Sequence, residues 1–125
     1  DVLTICSGGG GIPVVAEDGQ YVGVEAVNDK DFSARVLAEN VDADRLIILT
    51  GVDNIYINYN QPDQKALEQI SVAEAEEYIK EGHFAAGSML PKIEAALDFV
   101  KGDDKRKAII TSIDKEAGTV ISQKG

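Results

Sequence analysis

Residues 46–51 read Leu-Ile-Ile-Leu-Thr-Gly. A continuous apolar run of this length, ending in small polar residues, is the pattern of a strand buried on both faces of a parallel sheet. Two other stretches repeat it: residues 2–6 (Val-Leu-Thr-Ile-Cys) before Ser7-Gly8, and residues 108–110 (Ala-Ile-Ile) before Thr111-Ser112. Helical patterns lie between them. From Asp31 to about Asn40, Phe32, Ala34, Val36, Leu37 and Ala38 gather on one face. Ser71-x-x-Glu74 has the form of a capping box, opening a helix that runs to Lys80 with Gly82 as its stop. A third helix is predicted from about Leu90 to Lys101, with Pro91 in its first turn, Gly102 closing it, and Ile93, Ala96, Leu97 and Val100 on its apolar face. Hairpin and loop patterns fill the rest. Val14–Ala16 and Tyr21–Gly23 flank the turn Glu17-Asp18-Gly19-Gln20, residues 55–59 read as a second short strand, and Thr119–Ser122 as a final edge strand. The whole predicts an α/β fold, a mainly parallel sheet flanked by helices with appended β-hairpins.

The chain has 125 residues, which suits one domain, here residues 1–125, with a modest core. Its net charge of −10 disfavours nucleic acid and anionic membranes as partners. A phosphate ligand would therefore require the few cations to be concentrated locally. A single cysteine, Cys6, forbids an intrachain disulfide, suits a reducing cytoplasmic setting, and reads as an inert core residue in a strand. No apolar run approaches the ~20 residues that span a bilayer. Asp1-Val2-Leu3 lacks the basic start of a signal peptide and opens directly in a strand, so the chain is expected to begin within a longer protein.

Four segments carry candidate chemistry. In Ser7-Gly8-Gly9-Gly10-Gly11-Ile12-Pro13, four glycines follow a strand, and their N–H groups can approach an anion closely. The alternative is a flexible loop. In Asn28-Asp29-Lys30-Asp31, Asn28 reads as an N-cap, and Lys30 sits where a helix N-terminus disfavours a cation by roughly 0.3–1 kcal/mol. A bound phosphate would reconcile the helix end with the ammonium, with Asp29 or Asp31 orienting the lysine or holding Mg2+. A solvated charge run is the alternative. Gly87-Ser88-Met89-Leu90-Pro91-Lys92 repeats the theme, a glycine loop entering a helix with a lysine in the first turn. Two such lysines in one acidic domain suggest a clamp on a polyphosphate. In Thr50-Gly51-Val52-Asp53-Asn54-Ile55-Tyr56, Asp53 and Tyr56 fit a ribose and a base, or else an ordinary turn with a packed tyrosine. His83, the one histidine, has no ligand pattern around it and reads as packed or hydrogen-bonded.

These segments follow the order and chemistry of a known family. The stretches at 7–14 (SGGGGIPV), 23–31 (GVEAVNDKD), 43–59 (ADRLIILTGVDNIYINY), 82–96 (GHFAAGSMLPKIEAA), 108–112 (AIITS) and 117–122 (AGTVIS) together resemble the carbamate kinases of the amino acid kinase superfamily. The stretch beginning Gly82-His83-Phe84 separates them from acetylglutamate and uridylate kinases. The resemblance implies reversible phosphoryl transfer between ATP and carbamate with Mg2+, often in the ATP-forming direction during arginine breakdown. It implies that Lys30 and Lys92 neutralise the transferring phosphoryl group and that Asp29 positions them. It further implies that Gly8, Gly9 and Gly10 line the carbamate end, and that Thr50, Asp53, Tyr56 and Ala86, Gly87, Ser88 and Met89 surround the nucleotide. An N-terminal lobe with its own Gly-Gly-Asn phosphate loop and a homodimeric assembly are also implied. Without that lobe the chain is expected to bind ADP or ATP but to turn over poorly. Asn28 stands where a hydrophobic residue is usual, Gly51 replaces a larger one, and the helix-bearing segment that family members usually place between Lys115 and Glu116 is missing.

Overall fold

The computed structural model describes residues 2–115 and 117–125; Asp1 and Glu116, the latter at the junction where the family's helix-bearing segment is missing, lie outside them. Strands β1 (Val14–Glu17) and β2 (Gln20–Gly23) form an antiparallel hairpin. Asp18 and Gly19 make its two-residue turn, both at positive φ (48° and 79°), the backbone that matches the right-handed twist of a hairpin. Helix α1 (Lys30–Asn40) leads into β3 (Arg45–Leu49). After it come β4 (Ile55–Ile57), β5 (Lys65–Leu67), β6 (Gln69–Ser71), α2 (Val72–Lys80), α3 (Met89–Lys101), β7 (Lys107–Thr111) and β8 (Thr119–Ser122).

The main sheet has the order β3-β7-β8-β6. Its β3–β7 and β8–β6 pairs are parallel and β7–β8 is antiparallel, so the sheet is mixed. Thr119–Ser122 is therefore an interior strand and not the edge expected. The short connection from β7 reverses the chain and lays β8 beside it, and β6 then covers its other side. Strands β5 and β6 carry too few apolar residues, in runs too short, to announce themselves in the sequence.

Helix α3 supplies the centre of the core. Ile93, Ala96, Leu97 and Val100, together with Ala95 and Phe99, are buried, as the 3.6-residue periodicity requires. They pack in one cluster with Leu46, Ile48, Ile70, Ala108, Ile110 and Ile121 of the sheet. Each fully buried aliphatic side chain of this kind stabilises by roughly 1.5–3 kcal/mol.

Four expectations fail. Residues 2–6 form no strand; Val2, Leu3 and Ile5 are more than 90% exposed. Cys6 is an exposed thiol and not a core residue. An extended run becomes a strand only when a neighbour satisfies its backbone groups, and none of the described residues does so here. Strand β3 is not buried on both faces: Leu46 and Ile48 point inward, while Ile47 and Leu49 are 57% and 53% exposed. The same holds for α1, where Val36 and Leu37 are exposed and only Ala38 of the predicted apolar face is buried.

Candidate functional site

The two lysines singled out from the sequence meet on one atom. Asp31 is buried on α1, and its Oδ2 accepts from Lys92 Nζ at 2.7 Å and from Lys30 Nζ at 3.3 Å. Lys92 is itself buried, one turn into α3, and Lys30 is the exposed member. The fold achieves this by packing the head of α1 against α3. Two ammonium groups meet at a helix N-terminus on one carboxylate, and the Asp29 carboxylate that caps the same end offsets the second charge, so the cluster is balanced until a phosphate draws on the exposed Lys30.

The carboxylate that holds the lysines is Asp31, and Asp29 has a different task. Asp29 is the N-cap of α1, its Oδ1 accepting from the N–H of Asp31 (2.7 Å) and Phe32 (3.4 Å). Asn28, read as the cap, lies one residue too early. Its Nδ2 donates to Gly11 O at 2.5 Å and ties the glycine loop to the start of α1. Gly10, at φ +113°, sits so close that a Cβ there would lie 2.6 Å from Ser33 Oγ. Gly8 and Gly9 are exposed and open, with nothing near enough to oppose a ligand's approach. The glycine loop and Lys30 thus share one end of α1.

A cleft of about 620 Å³ opens at the C-terminal end of β3. Its walls include Thr50, Gly51 and Tyr56 on one side and Ser88 and Met89 on the other, all within segments marked from the sequence. Ser88 and Met89 stand at the head of α3, the helix that carries Lys92 one turn on. Ala86 and Gly87 belong to the same loop without lining the wall. Gly51, where a larger residue was expected, leaves space in the wall.

Asp53 lies in a smaller hollow beside the cleft, sharing Gly51, Val52, Tyr56 and Tyr59 with it. It accepts from Ser112 Oγ at 2.6 Å and pairs with Lys115 at 3.3 Å. The Ser112 hydroxyl, with help from Lys115, holds its carboxyl below the ordinary value. These contacts link the loop after β3 to the end of β7, where Thr50 N–H also donates to Thr111 O.

The sequence reading missed four other residues that line the cleft, Asn58, Gln61, His83 and Phe84. The signal for His83 was available in Gly82. Gly82 N–H donates to Ile79 O and His83 N–H to Tyr78 O, with Gly82 at φ +79°. That is a Schellman ending to α2, and it lays the residue after the glycine back onto the helix. The His83 ring accordingly meets Tyr78 edge-on, with centroids 5.7 Å apart. Among the described residues no three His, Cys, Asp or Glu side chains gather to hold a metal ion.

Comparison with known proteins gives a consistent set of likenesses. Residues 1–112 match the amino acid kinase family. The chain is 95% identical to carbamate kinase 2 of Enterococcus faecalis over all of its own length and 42% of that protein's, in an alignment of 131 positions. It is 55% identical to the carbamate kinase of Latilactobacillus sakei, over 98% of this chain and 41% of that one. Among solved structures, carbamate kinase from Giardia lamblia bound to AMP-PNP superposes with a TM-score of 0.83 at 43% identity, over 92% of this chain and 42% of that one. The chain thus spans about 42% of the length of the curated relatives it matches.

Proposed function

From the premise that this chain belongs to the amino acid kinase family, we propose that it is a nucleotide-binding lobe of a carbamate kinase. The whole enzyme would transfer a phosphoryl group reversibly between ATP and carbamate, giving ADP and carbamoyl phosphate. The observation that carries the reading is the shared Asp31 oxygen, which gathers Lys30 and Lys92 beside the head of α3. Phosphoryl transfer requires positioning and charge neutralisation more than covalent help from the protein, and two converging ammonium groups supply both. Asp31 takes the positioning role first given to Asp29. The exposed Lys30 faces incoming phosphate most directly, while the buried Lys92 presents a fixed charge. Gly8, Gly9 and Gly10 lie at the same end of α1 and suit the carbamate or carbamoyl phosphate end. Thr50, Tyr56, Ser88 and Met89 enclose the nucleotide, and Asp53 keeps the adjoining loop in place.

Magnesium fits this arrangement through the nucleotide's phosphates, because Asp31 already shares its Oδ2 between two lysines. Bound there, the ion would lower the negative charge that the lysines must oppose.

Calorimetry with Mg-ADP tests the reading. Binding is expected, weakened about tenfold or more by Lys92→Met, in keeping with the loss of a charge-assisted contact. No heat of binding for the unaltered chain would overturn it. In a coupled ATP-forming assay with carbamoyl phosphate, turnover is expected to be far below that of a full-length relative, since effective molarity depends on both walls of a crevice. A second reading, a self-associating module without nucleotide, draws on the exposed Ile47 and Leu49 of β3. Dimers on size exclusion that ignore ADP would favour it.

A further inference from the structure

We propose that His83 reads the base of the bound nucleotide, its Nδ1 accepting a hydrogen bond from the exocyclic amino group of adenine while Glu81 fixes the tautomer that leaves Nδ1 free to accept. This rests on the nucleotide reading of the cleft.

The position of His83 follows from the backbone. The Schellman ending of α2 returns the chain at Gly82, and the His83 ring packs edge-on against Tyr78. The ring is held between that contact and the cleft that His83 lines. Nε2 lies 3.0 Å from Glu81 Oε2, and because the two ring nitrogens of an imidazole point in diverging directions, Nδ1 is turned away from that carboxylate. Glu81 is largely exposed and is not among the residues of the cleft wall.

An ionised carboxylate can only accept a hydrogen bond. A neutral imidazole facing it must therefore carry its proton on Nε2, and Nδ1 is left as an acceptor. Adenine presents an amino donor at its six-position, where guanine presents a carbonyl oxygen. The acceptor on His83 complements the first and repels the second. The other polar wall residues differ in what they can offer a base. Asn58 Nδ2 is held by Asp63 at 2.6 Å, which leaves its Oδ1 as an acceptor of the same sense as His83 Nδ1, so the comparison of His83→Leu with the unaltered chain isolates the share of His83. Gln61 carries an amide, both donor and acceptor, that turns to suit either base. Tyr56, Tyr59 and Phe84 offer apolar faces to any purine.

The test compares Mg-ADP with Mg-GDP by calorimetry at pH 8, alongside imidazole nitrogen NMR. The chain has one histidine, so the spectrum carries a single pair of ring nitrogens. The expected preference for ADP is about tenfold, the size of one well-placed hydrogen bond. His83→Leu should bring the two dissociation constants close together, chiefly by weakening ADP. Glu81→Gln should narrow the gap, because a carboxamide can also donate to Nε2 and release the tautomer. In the spectrum, the free ring should be the Nε2–H form, with Nδ1 shifting on addition of ADP and not of GDP. An unchanged ADP to GDP ratio in His83→Leu, or an Nδ1–H ring, would overturn the proposal. Equal binding of both nucleotides by the unaltered chain would remove the role of His83 and leave the nucleotide cleft standing. Binding of neither would remove both.

Discussion

Asp31 shows how much one residue can decide. Its carboxylate is buried beside the buried Lys92, and the pair is worth less as a source of stability than as a fixed geometry. Removing one member leaves the other without its partner. Asp31→Asn is therefore expected to lower stability by about 3 kcal/mol, measured by urea denaturation, and to weaken ADP binding in the same protein. Lys30 is exposed, so Lys30→Met should leave the denaturation midpoint nearly unchanged while still weakening ADP. Stability and affinity thus separate the buried Asp31–Lys92 pair, which serves both, from Lys30, which serves the ligand alone.

Elements meet at equally specific contacts. Thr119 of β8 is buried, and its Oγ1 accepts from Ile55 N–H at 2.8 Å and donates to Leu67 O. One hydroxyl thereby joins the β4–β5 hairpin, which carries the tyrosine wall of the cleft, to the main sheet. Thr119→Val keeps the shape and leaves a buried N–H and C=O without that partner. A loss of about 2 kcal/mol in thermal or chemical unfolding is expected. At the head of α2, Ser71 N–H and then Ser71 Oγ donate to Glu74 Oε2, at 2.8 Å and 2.7 Å, and hold that carboxyl below its ordinary 4.5. A lowered folded-state value means that the contribution is complete above 4.5 and is lost as pH falls through the lowered value. Glu74→Gln should therefore reduce the melting temperature at neutral pH, and the difference from the unaltered protein should shrink on acidification below 4.5.

Across the whole molecule, helices cover one face of the sheet, while Ile47 and Leu49 on β3 and Val36 and Leu37 on α1 are left open to solvent. Exposed apolar side chains of this kind favour association. Replacing Ile47 and Leu49 together by lysine is expected to shift the chain toward monomer in concentration-dependent sedimentation. The unfolding free energy should change by no more than about 0.5 kcal/mol, because neither side chain is in the core.

The sequence by itself determined the α/β class, the three helices to within a residue or two of their ends, the hairpin around Asp18-Gly19, and the capping box at Ser71. Each is set by interactions within a few residues of chain, through periodicity, capping and turn geometry. The oddly placed lysines were legible for the same reason, since a cation in a first turn is a local anomaly. Tertiary structure alone decided which aspartate holds them, that Thr119–Ser122 lies inside the sheet, that residues 2–6 stand unpaired, and that His83 joins the cleft. Those outcomes depend on partners far away in the chain: Lys92 is 61 residues from Asp31, and a strand exists only where another strand takes its hydrogen bonds.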